Sequence, residues 1–179
     1  MIERNLFKIL LTACFAVLLA PLAKGQEGKW QAASAFEYWV DHLPYNTFEH
    51  VDQLDPLVFC ASQDNLLIID GSTDEFSRYS RINGLSGTNI TALRSDPSSQ
   101  TVWIGYANGR IDVWRNGSFQ SITAIEETPS FTGLKQINGF AFFDGKAYVG
   151  TDFGLVEFEI SSRLAGRTFL LGDNYSPIA

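Results

Sequence analysis

One short pattern recurs three times in this chain, as "VFCASQDNLLIID", "VWIGYANGRIDVW" and "AYVGTDFGLVEFE". Each copy has a small residue at the end of an apolar run, and an Asn or a Gly stands four positions later. Asn and Gly tolerate the positive φ that a tight hairpin turn requires. Each copy is therefore predicted to be two short strands joined by a tight turn. The small residues, spaced 44 and 45 positions apart, and their turn partners are Ala61 and Asn65, Gly105 and Gly109, and Gly150 and Gly154.

The residues on either side of each copy extend the repeat to four strands. A strand-like run with a turn signal precedes every copy and another β-rich run follows it, as "ITALRSDP" and "SFQSITA" do around the second copy. Four antiparallel strands in about 45 residues is the size of one β-propeller blade. Short, evenly spaced strands also suit a β-sandwich, but a sandwich has no reason to repeat one turn pattern at a fixed period. We therefore predict an all-β fold, a β-propeller of four-stranded blades.

The period also sets the predicted boundaries. Propeller rings have about four to eight blades, so the three blades present here would leave the ring incomplete. We accordingly expect the remaining blades to lie outside this sequence. The predicted blades are about 47–82, 89–124 and 136–174, with their central strands near 57–62, 66–70, 101–106, 110–114, 147–151 and 155–160.

The first 25 residues have the pattern of a helical signal peptide. Basic residues precede an apolar run from Ile9 to Leu22, and the small residues Ala23 and Gly25 flank Lys24. Such a small-x-small site predicts cleavage between Gly25 and Gln26. The competing lipoprotein pattern that ends at Cys14 is disfavoured, because apolar residues continue after that cysteine. The chain is therefore predicted to be exported.

Charge excludes one class of partner. The whole chain has 13 basic and 20 acidic residues, and removal of residues 1–25 leaves a formal charge of −9. Nucleic-acid binding needs a basic surface, so no nucleic-acid partner is expected. Long-range attraction to an anionic membrane surface is disfavoured for the same reason.

The sequence offers few residues for catalysis. Its two histidines, His42 and His50, stand near the predicted mature N-terminus, and no metalloprotease, nucleophile-elbow or phosphate-loop motif is present. Cys60 lies in the apolar run "LVFCAS" and is predicted to be a small buried residue. The acidic "DGSTDE", residues 70–75, is interpreted as a solvated hairpin turn because it lacks the calcium-loop frame. We predict no enzyme activity, no cofactor and no metal site.

An aromatic segment, residues 26–46, separates the signal peptide from the first blade. Its Tyr38, Trp39, His42 and Tyr45 could line a carbohydrate or peptide site, because flat rings with polar edges suit such ligands. Packing of the segment against the propeller is the favoured alternative, because large aromatic side chains are buried more often than they bind ligands.

Two resemblances follow from these motifs. The stretch "INGLSGTNITALRSDPSSQTVWIGYANGRIDVW", Ile82 to Trp114, resembles the repeat of two-component regulator propellers. The first copy departs from that repeat, since Ala61 and Asn65 replace its glycines. The front motif "WVDHLPYN", followed by "VFCASQDNLLIID", "RINGLSG" and "IGYANGRIDV", is similar in order and spacing to the start of PorZ-like proteins of type IX secretion.

The second resemblance implies an accessory protein at the surface of a gram-negative bacterium. Such a protein has two propellers and a C-terminal Ig-like domain, has protein partners in the attachment complex, and helps to supply anionic lipopolysaccharide to the cell-surface sortase. The first resemblance implies an alternative, a periplasmic glycan-sensing propeller of a hybrid two-component regulator. An enzyme built on a propeller is a third, weaker class. The ligand-contacting residues are unknown, and the loops 80–89 and 123–138 are candidates because propeller ligands bind where loops are dense.

Overall fold

The computed structural model describes residues 45, 47–129 and 133–170, and within these ranges the secondary structure is entirely β. The tight turns use the residues that such turns require. Asn116-Gly117 and Asp144-Gly145 both have two consecutive positive φ values, the geometry of a type I′ hairpin turn. The strands are β1 (His50–Leu54), β2 (Leu57–Ala61), β3 (Asn65–Asp70), β4 (Phe76–Ser80), β5 (Ile90–Asp96), β6 (Thr101–Tyr106), β7 (Ile111–Arg115), β8 (Ser118–Ile122), β9 (Ile137–Phe143), β10 (Lys146–Thr151), β11 (Gly154–Glu159) and β12 (Ala165–Leu170).

These strands form three four-stranded antiparallel sheets, in each of which the strand order follows the sequence order. Sheet 1 contains β1–β4, sheet 2 contains β5–β8 and sheet 3 contains β9–β12. The first strands of successive sheets lie side by side, with β1 against β5 and β5 against β9. The predicted all-β fold of successive propeller blades in an incomplete ring is confirmed.

The predicted central strands agree with the observed ones to within one residue at each end. The predicted turn positions differ among the three copies. Gly109 lies in the β6–β7 turn with a φ of 90°, whereas Asn65 is the first residue of β3 and pairs with Ser80. Gly154 is likewise the first residue of its strand, β11, and pairs with Leu170. Asn65 is not among the residues with positive φ, so in the first copy the turn is formed by residues 62–64 instead.

Sheet 2 is the centre of the described structure because both of its faces are covered. All six residues of β6 are buried, which explains why "TVWIGY" is almost continuously apolar. Alternate side chains of this strand point in opposite directions. Val102, Ile104 and Tyr106 join a core with sheet 1, whereas Trp103 joins a core with sheet 3.

Aromatic and aliphatic side chains fill both cores. In the second core the Trp103 ring lies 5.8–6.3 Å from the rings of Phe140, Phe142 and Phe158. In the first core Phe59 and Trp114 form an edge-to-face pair with ring centroids 4.9 Å apart. Aromatic pairs of this geometry contribute about 0.5–1.5 kcal/mol beyond their buried area.

The outer faces of sheets 1 and 3 are exposed in comparison. Val51 and Phe76 on sheet 1 are 64% and 60% exposed, and Phe143 on sheet 3 is 73% exposed. Cys60, also on sheet 1, is buried as predicted, and burial raises the pKa of its thiol. No helix in the described ranges has the length and apolarity needed to cross a membrane.

The predictions for the front of the chain lie outside the described residues. These are the signal peptide with its Gly25–Gln26 cleavage site and most of the aromatic segment, including Tyr38, Trp39 and His42. Tyr45 is the one of these four residues that the structure describes, and the guanidinium carbon of Arg78 lies 5.2 Å from the centre of the Tyr45 ring.

Candidate functional site

The antiparallel order of the strands assigns every loop to one of two ends of the sheets. One end, here called the connection end, carries the sheet-to-sheet connection 81–89 and the described parts, 123–129 and 133–136, of the next connection, together with the hairpins 62–64, 107–110 and 152–153. The other, the hairpin end, carries the remaining turns. The described residues of both predicted contact loops, 80–89 and 123–138, therefore lie at the connection end.

A buried carboxylate organises the first of these connections. Asp112 on β7 is completely buried, and its two oxygens accept hydrogen bonds from the Ser86 amide at 2.7 Å, the Ser86 hydroxyl at 2.6 Å and the Tyr106 hydroxyl at 2.6 Å. Burial and the adjacent negative charge of Asp112 raise the pKa of Tyr106, so the phenol remains a donor. Three donors compensate the desolvation of this carboxylate and hold the 81–89 connection against sheet 2.

Arg110 in the β6–β7 hairpin forms hydrogen bonds with both sheet-to-sheet connections. Its Nε donates to Glu126 at 2.7 Å and its Nη1 donates to the carbonyl oxygen of Ser86 at 2.9 Å. The hydrogen bond to Glu126 is the main reason that the pKa of Arg110 is raised. Asn108 donates to the second oxygen of Glu126 at 2.8 Å. The β6–β7 hairpin thus holds residue 86 of one connection and residue 126 of the other.

The second connection is fixed further along its length by a lysine. Lys135 Nζ donates to the carbonyl oxygens of Glu126 and Thr128 at 2.7 and 2.8 Å. Gly109 lies below this connection, where a Cβ would come within 2.9 Å of Ile125 and 3.0 Å of Lys135. The close approach and the φ of 90° both explain why this motif position is glycine.

The other motif positions also serve packing between or within sheets. A Cβ on Gly105 would lie 2.4 Å from Ile137 of sheet 3, and one on Gly154 would lie 2.1 Å from the carbonyl oxygen of Phe169. Gly150 has space around it, with the nearest such atom at 3.8 Å. Ala61 is completely buried in the core between sheets 1 and 2.

Sequence reasoning missed Asp112, Ser86 and Glu126. The one available signal was Asp112, a single carboxylate inside the otherwise apolar strand "IDVW". The arrangement can orient two loops and present their outer surfaces. Within the described ranges, no group of three or more His, Cys, Asp or Glu side chains is placed to hold a metal ion.

The sequence from residue 58 to residue 179 matches a protein family described as the N-terminal β-propeller domain of PorZ of type IX secretion. No curated protein sequence is detectably similar to the chain.

Solved structures with the same fold include PorZ of Porphyromonas gingivalis, an essential bacterial surface component of the type IX secretion system. It is 21% identical over 68% of this chain and 16% of its own, with a TM-score of 0.62. The extracellular domain of the putative one component system BT4673 of B. thetaiotaomicron is 12% identical over 72% of this chain and 18% of its own, with a TM-score of 0.56. Apo AztD of Citrobacter koseri is 14% identical over 74% and 37%, with a TM-score of 0.55. The chain therefore spans less than a fifth of the first two proteins, and these likenesses establish the fold.

Proposed function

The chain belongs to the family of PorZ N-terminal β-propeller domains, and we propose from this that it is the propeller module of an exported, non-catalytic accessory protein of type IX secretion. The family match over residues 58–179 carries the proposal, since it covers all three sheets except the β1 strand and the first residue of β2. In this role the module acts at the surface of a gram-negative bacterium and contacts protein partners of the attachment complex. The proposal extends to one specific task, which is to help deliver anionic lipopolysaccharide to the sortase.

The way the connection end is built supports a contact role. Polar groups that could have been reactive hold loops in place there: Asp112 binds Ser86 and Tyr106, and Arg110 binds Glu126. Loops that are held in one geometry before binding lose less conformational freedom when a partner docks. The outer surfaces of residues 81–89, 123–129 and 133–136 are therefore the proposed contact surface for a protein of the complex.

A deletion experiment tests the proposed role. Loss of the gene that encodes this chain should leave type IX cargo proteins unprocessed or released from the cell surface, and transcripts of polysaccharide-use genes should stay normal. Cargo is followed by immunoblots of cell and medium fractions, and transcripts by RNA sequencing. Intact cargo together with a lost glycan-induced transcript would refute the proposal in favour of the sensor, and polysaccharide turnover by the purified protein would refute it in favour of an enzyme.

The contact surface has its own test in the same strain. Ser86 and Glu126 should be left intact, because their replacement would disturb the loops themselves. Arg81→Glu and Glu127→Arg reverse exposed charges on the two connections, and Glu75→Arg reverses an exposed charge in the β3–β4 turn at the hairpin end as a matched control. Complementation should fail with the first two variants and succeed with the control, whereas equal rescue by all three would exclude this surface.

A further inference from the structure

A polar cleft lies at the hairpin end, away from both predicted contact loops. It runs between sheets 2 and 3 and has a volume of about 540 Å³. This volume falls within the range of roughly 300–1,000 Å³ that is typical of small-molecule sites. The cleft is lined by Ser98, Ser99, Gln100, Thr101, Arg115, Gly145, Glu159, Ile160, Ser161 and Arg163.

Two guanidinium groups line the cleft, and neither forms an ion pair with a carboxylate in the described part of the chain. Arg115, the last residue of β7, is exposed. Arg163, in the β11–β12 turn, reaches across to sheet 2, where its Nη1 donates to the side-chain oxygen of Gln120. The carboxylate in the lining, Glu159, lies 3.8 Å from Lys146 Nζ, so its charge is partly balanced. The lining thus carries two arginines and one carboxylate, on a chain whose formal charge is −7.

The hydroxyl groups of the cleft are oriented by a buried carboxylate behind them. Ser98 Oγ donates to Asp96 Oδ1 at 2.7 Å, and Ser99 Oγ donates to Asp96 Oδ2 at 2.5 Å. Burial raises the pKa of Asp96, but the hydrogen bonds from Ser99 and Ser98 outweigh it and leave the pKa below its ordinary value. The hydroxyl hydrogens of Ser98 and Ser99 are committed to this anion, so these two oxygens can only accept hydrogen bonds from a ligand. Thr101 Oγ1, 2.7 Å from Ser99 Oγ, is then the donor of that pair and occupies one lone pair of Ser99. Ser98 therefore has both lone pairs available for a ligand, and Ser99 has one.

The equivalent groove between sheets 1 and 2 has the opposite charge. It measures about 240 Å³, and its lining includes Asp70 and Glu75 but no arginine or lysine. The basic lining is therefore a property of the second groove and does not follow from the blade repeat. Arginine is well suited to such a site because its planar fork of donors matches a carboxylate or phosphate.

We propose that this cleft binds a hydroxylated ligand that carries one oxyanion, of the class of a sugar acid, with the anion held by Arg115 and Arg163 and the hydroxyl groups donating to Ser98 and Ser99. Secretion is measured on cells and binding at this cleft on the purified protein, so failure of one proposal is distinguishable from failure of the other.

Isothermal titration calorimetry of the full chain, purified after export, tests the site with three probes. Glucuronate has both the carboxylate and the hydroxyl groups, glucose has the hydroxyl groups alone, and acetate has the carboxylate alone. Glucuronate should give saturable binding, whereas glucose and acetate should bind at least tenfold more weakly. Absence of saturable glucuronate binding would overturn the proposal, and acetate binding as tight as that of glucuronate would overturn its saccharide part.

Variants then place the binding in the cleft. Arg115→Gln is the decisive variant, because this exposed side chain has no partner in the described part whose loss could unfold the protein. Glucuronate affinity should fall about tenfold or more with Arg115→Gln, as expected for loss of a charge-assisted hydrogen-bonded pair, and further with Arg163→Gln added. Arg94→Gln removes an exposed arginine of β5 that does not line the cleft and should leave affinity unchanged. Loss of affinity with Arg94→Gln and none with Arg115→Gln would place the site outside the cleft and refute the inference.

Discussion

Replacement of Gly105 by Ala should push sheets 2 and 3 apart. The new Cβ would lie 2.4 Å from Cγ2 and 2.6 Å from Cβ of Ile137, and 3.1 Å from Cζ of Phe140. Carbon atoms in contact are about 3.5–4.0 Å apart, so the closest pair is short by roughly 1 Å. Ile137 is completely buried and cannot swing into solvent. Overpacking of this kind costs about 1–3 kcal/mol.

Gly150→Ala is the matched control, because it makes the same substitution at the equivalent position of the next repeat. There the nearest atom to a new Cβ is 3.8 Å away, which is ordinary van der Waals contact. Since Ala restricts the unfolded chain more than Gly does, this variant should be neutral or more stable by about 0.4–1 kcal/mol. The difference between the two variants therefore isolates packing between sheets from the backbone effect.

Differential scanning calorimetry of the exported chain measures the difference. For a chain of this size 1 kcal/mol shifts the Tm by about 2–4 °C, so Gly105→Ala should melt about 2–12 °C below the wild-type protein. Gly150→Ala should melt at the wild-type temperature or slightly above it. Equal melting temperatures for the two variants would show that sheets 2 and 3 do not pack as described.

Three further predictions concern buried polar groups and the N-terminus. Asp112→Asn should lower the free energy of unfolding in urea by about 1–3 kcal/mol, because the new amide group faces the donors of Ser86 or Tyr106. Asp144→Asn, in an exposed turn that accepts Asn, should be neutral, and equal effects of the two variants would contradict the role of the hydrogen bonds to Asp112. The hydrogen bond from Lys146 is the main cause that lowers the pKa of Glu157. Burial opposes this shift, and a further hydrogen bond from Arg167 adds to it. The ionised carboxylate therefore stabilises the fold above its unfolded pKa of about 4.3. The Tm difference between the wild type and Glu157→Gln should vanish as the pH falls through the lower pKa of the folded state. A Tm difference that does not depend on pH would contradict the ion pairs. The exported protein should begin at Gln26 by N-terminal sequencing, and a lipid-modified Cys14 start would contradict the signal-peptide assignment.

The fold could be predicted from the sequence because its determinants are local. Short apolar or β-rich runs bounded by turn residues specify the strands, and the pairs Asn116-Gly117 and Asp144-Gly145 specify hairpin turns through residues that accept positive φ. Repetition of these signals about every 45 residues then distinguishes blades from a sandwich. Asn65 and Gly154 are predicted in turns but are the first residues of strands, because Asn and Gly are compatible with both a turn and a strand end.

The candidate sites could not be predicted in the same way because their contacts join residues far apart in the chain. Ser86 and Asp112 are 26 residues apart, and Arg163 and Gln120 are 43 residues apart. No local pattern specifies which face of β7 carries Asp112 toward a connection, or that a turn arginine of sheet 3 will reach sheet 2. Such pairs are fixed by the stacking of whole sheets, and a single sequence contains no direct signal for them.

The two ends of the sheets differ in whether their charged side chains are already engaged with protein groups or are available to a ligand. At the connection end Arg110 and Glu126 bind each other, and Asp112 already accepts three hydrogen bonds, so a ligand that engaged these groups would first have to break contacts that hold the loops. Breaking one such buried contact costs about 1–3 kcal/mol, which would offset much of a new hydrogen bond. At the hairpin end Arg115 has no ion pair to break among the described residues, and Arg163 binds the uncharged side chain of Gln120. A protein partner that docks on preformed loops therefore fits the connection end, and a small anionic ligand fits the hairpin end.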